Sequence, residues 1–197
     1  MINTQTHSTL ADRLWQTDNT LLRNVVLAIL GSAALWMSAK IQVPFYPVPI
    51  TMQTFVVLAI GIAFGMRLGV ATIALYLAEG MTGLPVFAGT PEKGIGLAYM
   101  MGPTGGYLLG YLLAAGAVGY LAERGFDRNV FTAAVAMFLG NVLIYIPGLL
   151  WLGTIVGWDK PVLAWGMTPF LFGDAAKLLL AAALLPMIWK LLRPNRH

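Results

Sequence analysis

The stretch Pro169 to Leu192, PFLFGDAAKLLLAAALLPMIWKLL, constrains this chain more than any other. A helix of about 20 residues, rising about 1.5 Å per residue, crosses the roughly 30 Å hydrocarbon core of a bilayer. This stretch is long and apolar enough to do so. Thr168 is placed to cap its start, and Pro169 falls at the first helical position, where a missing N–H does no harm. One turn further in stand Asp174 and Lys177. Each charge inside a membrane helix costs about 2.5–3.5 kcal/mol on insertion scales. Three residues apart, the two share a helix face and partly neutralise each other. Such a pair is either a ligand site or an ion pair that ties the helix to its bundle, and an intramembrane charge favours the site.

Of the 197 residues, 58% are hydrophobic and only 10% are charged, against about 25% charged in soluble domains. An all-α integral membrane protein follows, with length for one domain and no appended soluble enzyme. The absence of cysteine excludes disulfides and thiolate metal sites. His7 and His197 lie at the two ends of the chain, which removes most zinc chemistry and any histidine-based triad inside the membrane. Residues 1–20 are polar and lack the charged-then-apolar order of a signal peptide, so none is expected. No GxxxxGK[ST] occurs, so energy from ATP would have to come from another chain. Neither a cofactor, a metal nor a nucleic-acid partner is expected, and the chain reads as something other than an enzyme.

Six spans are expected between a polar tail at 1–20 and a basic tail at 193–197, giving a membrane domain over 21–192. They run Leu21–Ile41, Thr51 to about Phe64, a third to about Ala78, Pro103–Leu121, Val130–Leu152 and Pro169–Leu192. Gly65-Met66-Arg67-Leu68-Gly69 reads as a tight turn. Gly31, Ala28, Ser32, Ala34 and Ser38 give the first span a small-residue face, which serves internal packing or docking of another protein equally well. Gln42 to Ile50, with three prolines, cannot be regular helix and suits an interfacial lid. Gly80 to Gly106 is rich in glycine, yet its aromatic residues imply packed, re-entrant structure. Trp151, Trp158 and Trp165 fit an interfacial belt.

With six spans both termini share one side, where eight basic residues fall: Arg13, Arg23, Arg67, Arg124, Arg128, Lys190, Arg193 and Arg196. The other side has Lys40, Lys93 and Lys160. The positive-inside rule makes both termini cytoplasmic. The proline-rich, glycine-rich and tryptophan-rich connections are then all outside, as long structured loops over Thr51, Gln53, Tyr107 and Asp174. A pocket open to the outside is expected, with Asn141 as its floor if the fifth span faces inward.

The segments VPFYPVPITMQT, LPVFAG, GPTGGYLLG and FGDAAKLLLAA resemble, in order and spacing, the BioY family, the biotin-binding S components of energy-coupling factor (ECF) transporters. The resemblance covers roughly Ala39 to Leu185. It implies six helices, an outward-facing biotin site, and uptake of the vitamin by a multi-pass protein of the cell membrane. It also implies a transmembrane coupling subunit and cytoplasmic ATPase subunits as partners. Some similar members work without them, as a stand-alone carrier of biotin or another small vitamin and as a possible homo-oligomer. Trp36 is bulky in a first helix where the family prefers small residues.

Biotin's ureido ring offers two N–H donors and one carbonyl acceptor, and these residue types suit it. Asp174 is expected to accept from the N–H groups, Lys177 or Asn141 to donate to the carbonyl, and Gln53 to do either, with Thr51 beside it. Phe87, Tyr107 and Met100 are candidates for apolar walls. Lys93, with Lys40 behind it, is the candidate cation for the tail carboxylate. Plainer roles compete. Gln53 could cap its span, Asn141 could bond a neighbouring helix, Tyr107 could be packing and Glu79 an interfacial end-residue. Two other classes stand against transport by an S component: a Ser–Lys membrane protease using Ser32 or Ser38 with Lys177, and a proton-coupled carrier with Asp174 as relay.

Overall fold

The computed structural model describes residues 7–191. Its helices are α1 (Leu10–Leu14), α2 (Thr20–Lys40), α3 (Gln53–Met81), α4 (Gly96–Met100), α5 (Gly105–Ala122), α6 (Val130–Val156), α7 (Val162–Gly166) and α8 (Thr168–Leu191). By length and composition, α2, α3, α5, α6 and the run from α7 through α8 can cross a membrane. Between α2 and α3 the proline-rich segment is not helical. Strands β1 (Gln42–Val43) and β2 (Ile50–Thr51) pair antiparallel across it, Gln42 opposite Thr51. The tail residues 1–6 and 192–197, including the basic segment 193–197, lie outside the described residues.

α3 is two arms rather than one rod. At Gly65 the backbone takes φ 78° and ψ −179°, a conformation that a side chain would strain. Residues 61 and 69 of a straight helix would stand about 12 Å apart. Instead, a Cβ on Gly69 would lie 3.2 Å from the Gly61 Cα. Gln53 at the start of α3 donates to the Tyr76 hydroxyl near its end, at 2.7 Å. The chain therefore doubles back at one glycine, and Met66 to Gly69 are already helical, so the five-residue turn expected from the sequence is shorter in fact. The second and third expected spans are these arms, about 18 and 24 Å long.

Small residues draw the helices together. A Cβ on Gly110 of α5 would meet the Ile144 Cα of α6 at 2.7 Å, a backbone approach that only glycine allows. Around this contact Val57, Ile73, Ala114, Val118, Met137 and Ile144 are buried. The small-residue face of α2 is used the same way: Gly31, Ser32, Ser38 and Ala39 are buried, and Gly31 faces Thr72 and Phe64 of α3. Of its two readings, internal packing holds. The opposite face of α2 is bulky, with Val25, Ile29, Trp36 and Met37 exposed. Pro147 sits inside α6 without ending it. Thr168 is the first residue of α8, and its hydroxyl donates to the Leu163 carbonyl (3.2 Å) instead of capping the helix.

At the end of the bundle with the basic excess, a 3-10 turn at Phe126–Arg128 carries Asp127, only 2% exposed. The Trp189 indole near the end of α8 donates to Asp127 Oδ2 at 2.5 Å, and Arg128 stacks over the same indole. Burial raises the Asp127 carboxyl above its ordinary range, against smaller opposing pulls from Trp189 and Arg128. The folded state thus holds this proton more tightly than the unfolded chain. The contribution to stability is greatest in acid and declines as pH rises through the raised pKa. Asp127→Asn, which keeps an oxygen for Trp189, is expected to flatten that decline in melting curves recorded across pH. Trp189→Phe leaves the carboxylate short of a donor and is expected to cost about 1–3 kcal/mol.

Candidate functional site

Beneath the loops, α3, α5, α6 and α8 border a small cavity of about 40 Å³, tighter than the roughly 300–1,000 Å³ usual for small-molecule sites. Val48 and Pro49 of the β1–β2 loop and Ala88 and Tyr99 of the α3–α5 connection border it above. Leu108, Ile144 and Phe170 supply apolar wall, and Thr51, Gln53, Thr54, Tyr107, Tyr111, Tyr145 and Lys177 supply the polar groups. Few polar groups among apolar walls are what orient a mostly apolar ligand.

Lys177 is the cation of this cavity. Its ammonium donates to the Thr51 carbonyl (2.9 Å), the Thr54 hydroxyl (2.9 Å) and Asp174 Oδ1 (3.1 Å). Three hydrogens meet three oxygens, so the charge is fully solvated by protein. Asp174 is 5% exposed. It also accepts from Thr54 (3.3 Å) and, through Oδ2, from the Tyr145 hydroxyl. The acid does not border the cavity. It stands behind Lys177 and Tyr145, where it lines a lateral, mostly apolar groove between α6 and α8 together with Asn141. The i, i+3 spacing on α8 made the pair possible; β2 supplied Thr51 and the first turn of α3 supplied Thr54.

The loops are pinned by polar contacts as much as by packing. Lys40, at the end of α2, donates to the carbonyls of Pro85 (2.8 Å), Phe87 (3.1 Å) and Thr90 (3.3 Å) and to the Thr90 hydroxyl (3.0 Å). Gln53 bonds Tyr76, whose hydroxyl donates to the Val86 carbonyl at 3.0 Å. Phe87 is buried in the same loop, stacked on Tyr99 at 4.8 Å and edge-on to Tyr76 at 5.5 Å. The Tyr107 hydroxyl donates to the Gly166 carbonyl (2.8 Å), and the Trp151 indole to the Gly102 carbonyl (2.8 Å). Phe45 in the proline-rich lid meets Phe170 of α8 edge to face, at 6.5 Å.

Of the residues singled out from the sequence, the structure brings Thr51, Gln53, Tyr107 and Lys177 to the cavity and sets Asp174 directly behind it. Asn141 faces the lateral groove instead, because α6 turns that side of its fourth turn toward α8. Phe87 is consumed in loop packing, and Lys40 is occupied by loop oxygens. Lys93 is exposed, its stem beside Gly89. Glu79 is bonded by the Ser32 hydroxyl, a tie between α2 and α3 rather than a free end-residue. Ser32 is thereby engaged away from Lys177, and Ser38 donates to the Leu35 carbonyl (2.8 Å), so neither forms a Ser–Lys pair. Sequence reasoning missed Thr54, Tyr99, Tyr111 and Tyr145. Two signals pointed to them: Tyr107 and Tyr111 share a helix face at i, i+4, and a tyrosine inside an apolar span needs a partner for its hydroxyl.

Comparison with known proteins places the chain among its relatives. The model of the BioY family matches residues 6–194. The biotin transporter BioY of Thermotoga maritima is 35% identical over 170 residues, covering 86% of this chain and 98% of its own. That of Rhizobium etli is 35% identical over 172 residues, covering 82% and 90%. A crystal structure of the S-component for biotin from an ECF-type ABC transporter superposes with a TM-score of 0.73 at 24% identity, over 89% of this chain and 95% of that one. At that identity it establishes a shared fold.

The ion pair sets a stability test of its own. Lys177→Met strands the Asp174 carboxylate in an apolar surround and is expected to cost about 3–5 kcal/mol, whereas Lys177→Met with Asp174→Asn recovers much of the loss. Thermal unfolding of the purified variants in detergent checks both. Lys40→Met is expected to leave the bundle folded while hydrogen exchange speeds up across residues 84–90, which lose their common donor.

Proposed function

The chain belongs to the BioY family, and on that premise we propose that it captures biotin from outside the cell as the substrate-binding subunit of an ECF-type transporter. It is a multi-pass protein, and we place it in the cytoplasmic membrane with six crossings over 21–192 and both termini inside, on the basic-residue asymmetry. The two arms of α3 supply the crossing that brings five long apolar stretches to six. A membrane coupling subunit and cytoplasmic ATPases complete the transporter, and the energy of transport comes from them. The names of the relatives support biotin as substrate.

The observation that carries this reading is a protein-solvated cation beside an apolar cavity. Lys177 has no spare hydrogen, so a ligand oxygen binds it only by replacing one of the three present. The Thr54 hydroxyl is the natural one to yield, since it also reaches Asp174 (3.3 Å) and keeps a partner when displaced. The ureido carbonyl of biotin takes that place on Nζ. Its N–H groups go to the amide oxygen of Gln53, which no hydrogen bond among the described residues uses, and to phenol oxygens of the cavity tyrosines. Asp174 acts through Lys177, fixing its charge and direction, so its expected role as a direct acceptor becomes one of orientation. The thiophane ring and alkyl chain lie against Tyr107, Leu108 and Phe170. The tail carboxylate points to the mouth, and Lys93, exposed in the loop, is the cation proposed for it. Asn141 and Phe87 support the site without touching ligand.

One observation favours the alternative of a carrier working without ATPase partners: α2 presents bulky residues, not small ones, on its free face. Counterflow in liposomes separates the two. Uptake dependent on ATPase subunits supports the S component, and partner-free uptake driven by a pH gradient supports the carrier. Biotin binding itself is checked by calorimetry with other vitamins as competitors. Lys177→Ala is expected to weaken biotin at least 100-fold, about 2.7 kcal/mol. Asp174→Asn is expected to weaken it less. Normal affinity in both Asp174→Ala and Lys177→Ala would remove the assignment.

A further inference from the structure

A second cavity, of about 430 Å³, lies at the end of the bundle with the basic excess, bounded by α1, the start of α2, the arms of α3 next to the Gly65 turn, and Glu123. Residues 7–12 form its outer wall. The His7 amide donates to the Glu123 carbonyl (2.7 Å), Thr9 and Asp12 form a capping box, and Leu10 and Ala11 are buried. Two arginines and two acids line the cavity, Arg23, Arg67, Asp12 and Glu123, but three of the four are already committed. Asp12 accepts from the Thr9 amide (3.1 Å) and hydroxyl (2.8 Å) and pairs with Arg23 at 3.1 Å. Arg23 further donates to the Trp15 carbonyl (3.4 Å) and to Asn24 Oδ1 (3.2 Å). Glu123 Oε1 accepts from the Met66 amide at 2.8 Å, closing the hairpin turn.

Arg67 remains. Among the described residues it has no hydrogen bond and no ion pair, and it is exposed. The other half of the cavity is apolar: Phe64 on the first arm, Leu68 and Ala71 on the second. Ala71 is one turn beyond Arg67, about 6 Å further along the helix toward the middle of the bundle. The cavity's four charges thus sum to zero, with Arg67 the one left without a partner among the described residues, and an apolar strip of Phe64, Leu68 and Ala71 lies beside it. Leu14, Trp15, Leu21 and Leu22, around the α1–α2 junction, are exposed, the composition of an interfacial belt.

We propose that this cavity binds an anionic phospholipid of the leaflet at that end, its phosphate on Arg67 and an acyl chain along Phe64, Leu68 and Ala71. An arginine fork matches a phosphodiester in a bidentate way that a point charge does not, and basic pockets beside membrane helices on the cytoplasmic side are a recurrent headgroup site. A zwitterionic lipid carries the same phosphate but brings a cation next to Arg67 and Arg23. Free phosphate lacks the chain that would fill the apolar half.

The test uses the full chain reconstituted in an equal mixture of phosphatidylglycerol and phosphatidylcholine, then extracted and weighed with its retained lipid by native mass spectrometry. Wild type is expected to retain phosphatidylglycerol several-fold over phosphatidylcholine. Arg67→Gln should abolish that preference, Arg67→Lys should keep part of it, and Ala71→Trp, which fills the apolar half, should lower retention of both lipids. Arg124→Gln, whose guanidinium lies on the Tyr120 ring, should leave retention unchanged. Biotin titration of each variant confirms that it is folded and is independent of lipid retention. Full preference in Arg67→Gln, undiminished retention in Ala71→Trp, or displacement of the lipid by inorganic phosphate alone would overturn the proposal.

Discussion

An ammonium group held by three protein oxygens in an apolar bundle is the constraint from which the rest of this structure can be understood. Water cannot be relied on to stabilise Lys177 where it sits, about 14 Å along α8 from its start. The protein supplies the equivalent shell from two places in the chain: Asp174 one turn earlier on α8, and Thr51 with Thr54 at the mouth of α3. That requirement fixes α8 against the first arm of α3. It also explains why the acid lies behind the base. A carboxylate facing the cavity would need its own donors from the ligand, whereas here Lys177, Tyr145 and Thr54 satisfy it beforehand. An anion compensated in advance leaves a directed, neutral-sum pair that can recognise a polar but uncharged head group.

Everything above the pair serves to close it off. The loops are long, glycine-rich and proline-rich, a composition that by itself lacks fixed structure. Lys40 gathers four oxygens of the α3–α5 connection, and the Gln53–Tyr76–Val86 chain fastens the same connection to the bundle. Buried carbonyls that regular secondary structure would have paired are thereby satisfied by side chains. The site and its cover share a residue in Gln53, which borders the cavity while it holds Tyr76. In the proposed mode of binding, ligand capture and loop order are linked through that one amide. At the opposite end, the committed Asp12–Arg23 pair and the Glu123–Met66 contact close the bundle and leave Arg67 over.

Much of this was legible without coordinates. The spans of α2, α5, α6 and α8 agree with their expected limits to within a few residues, because twenty apolar residues in a row have few alternatives in a bilayer. Asp174 and Lys177 were marked by the cost of placing them there, and Thr51, Gln53 and Tyr107 by their nearness to span ends under the loops. Asn141 shows the boundary of that reasoning. Its depth in α6 was readable, but the side it faces depends on how α6 is rotated against α8. In a helix that is apolar all round no periodicity records that rotation. Lys93 and Lys40 show the same limit for loops. Both are single cations in glycine-rich surroundings, and only folding reveals that one is spent on carbonyls while the other is exposed.

The sequence by itself determined that this is a multi-pass helical membrane protein with an acid and a base in its last helix, since hydropathy and charge cost are local properties that hold whatever the neighbours. The tertiary structure alone decided that α3 reverses at Gly65, that its mouth supplies the shell of Lys177, that Asp174 stands behind the cavity, and that four tyrosines surround it. Those are relations between segments as many as 126 residues apart. They are set by which small residues let which backbones approach, and no pattern along a single helix encodes them.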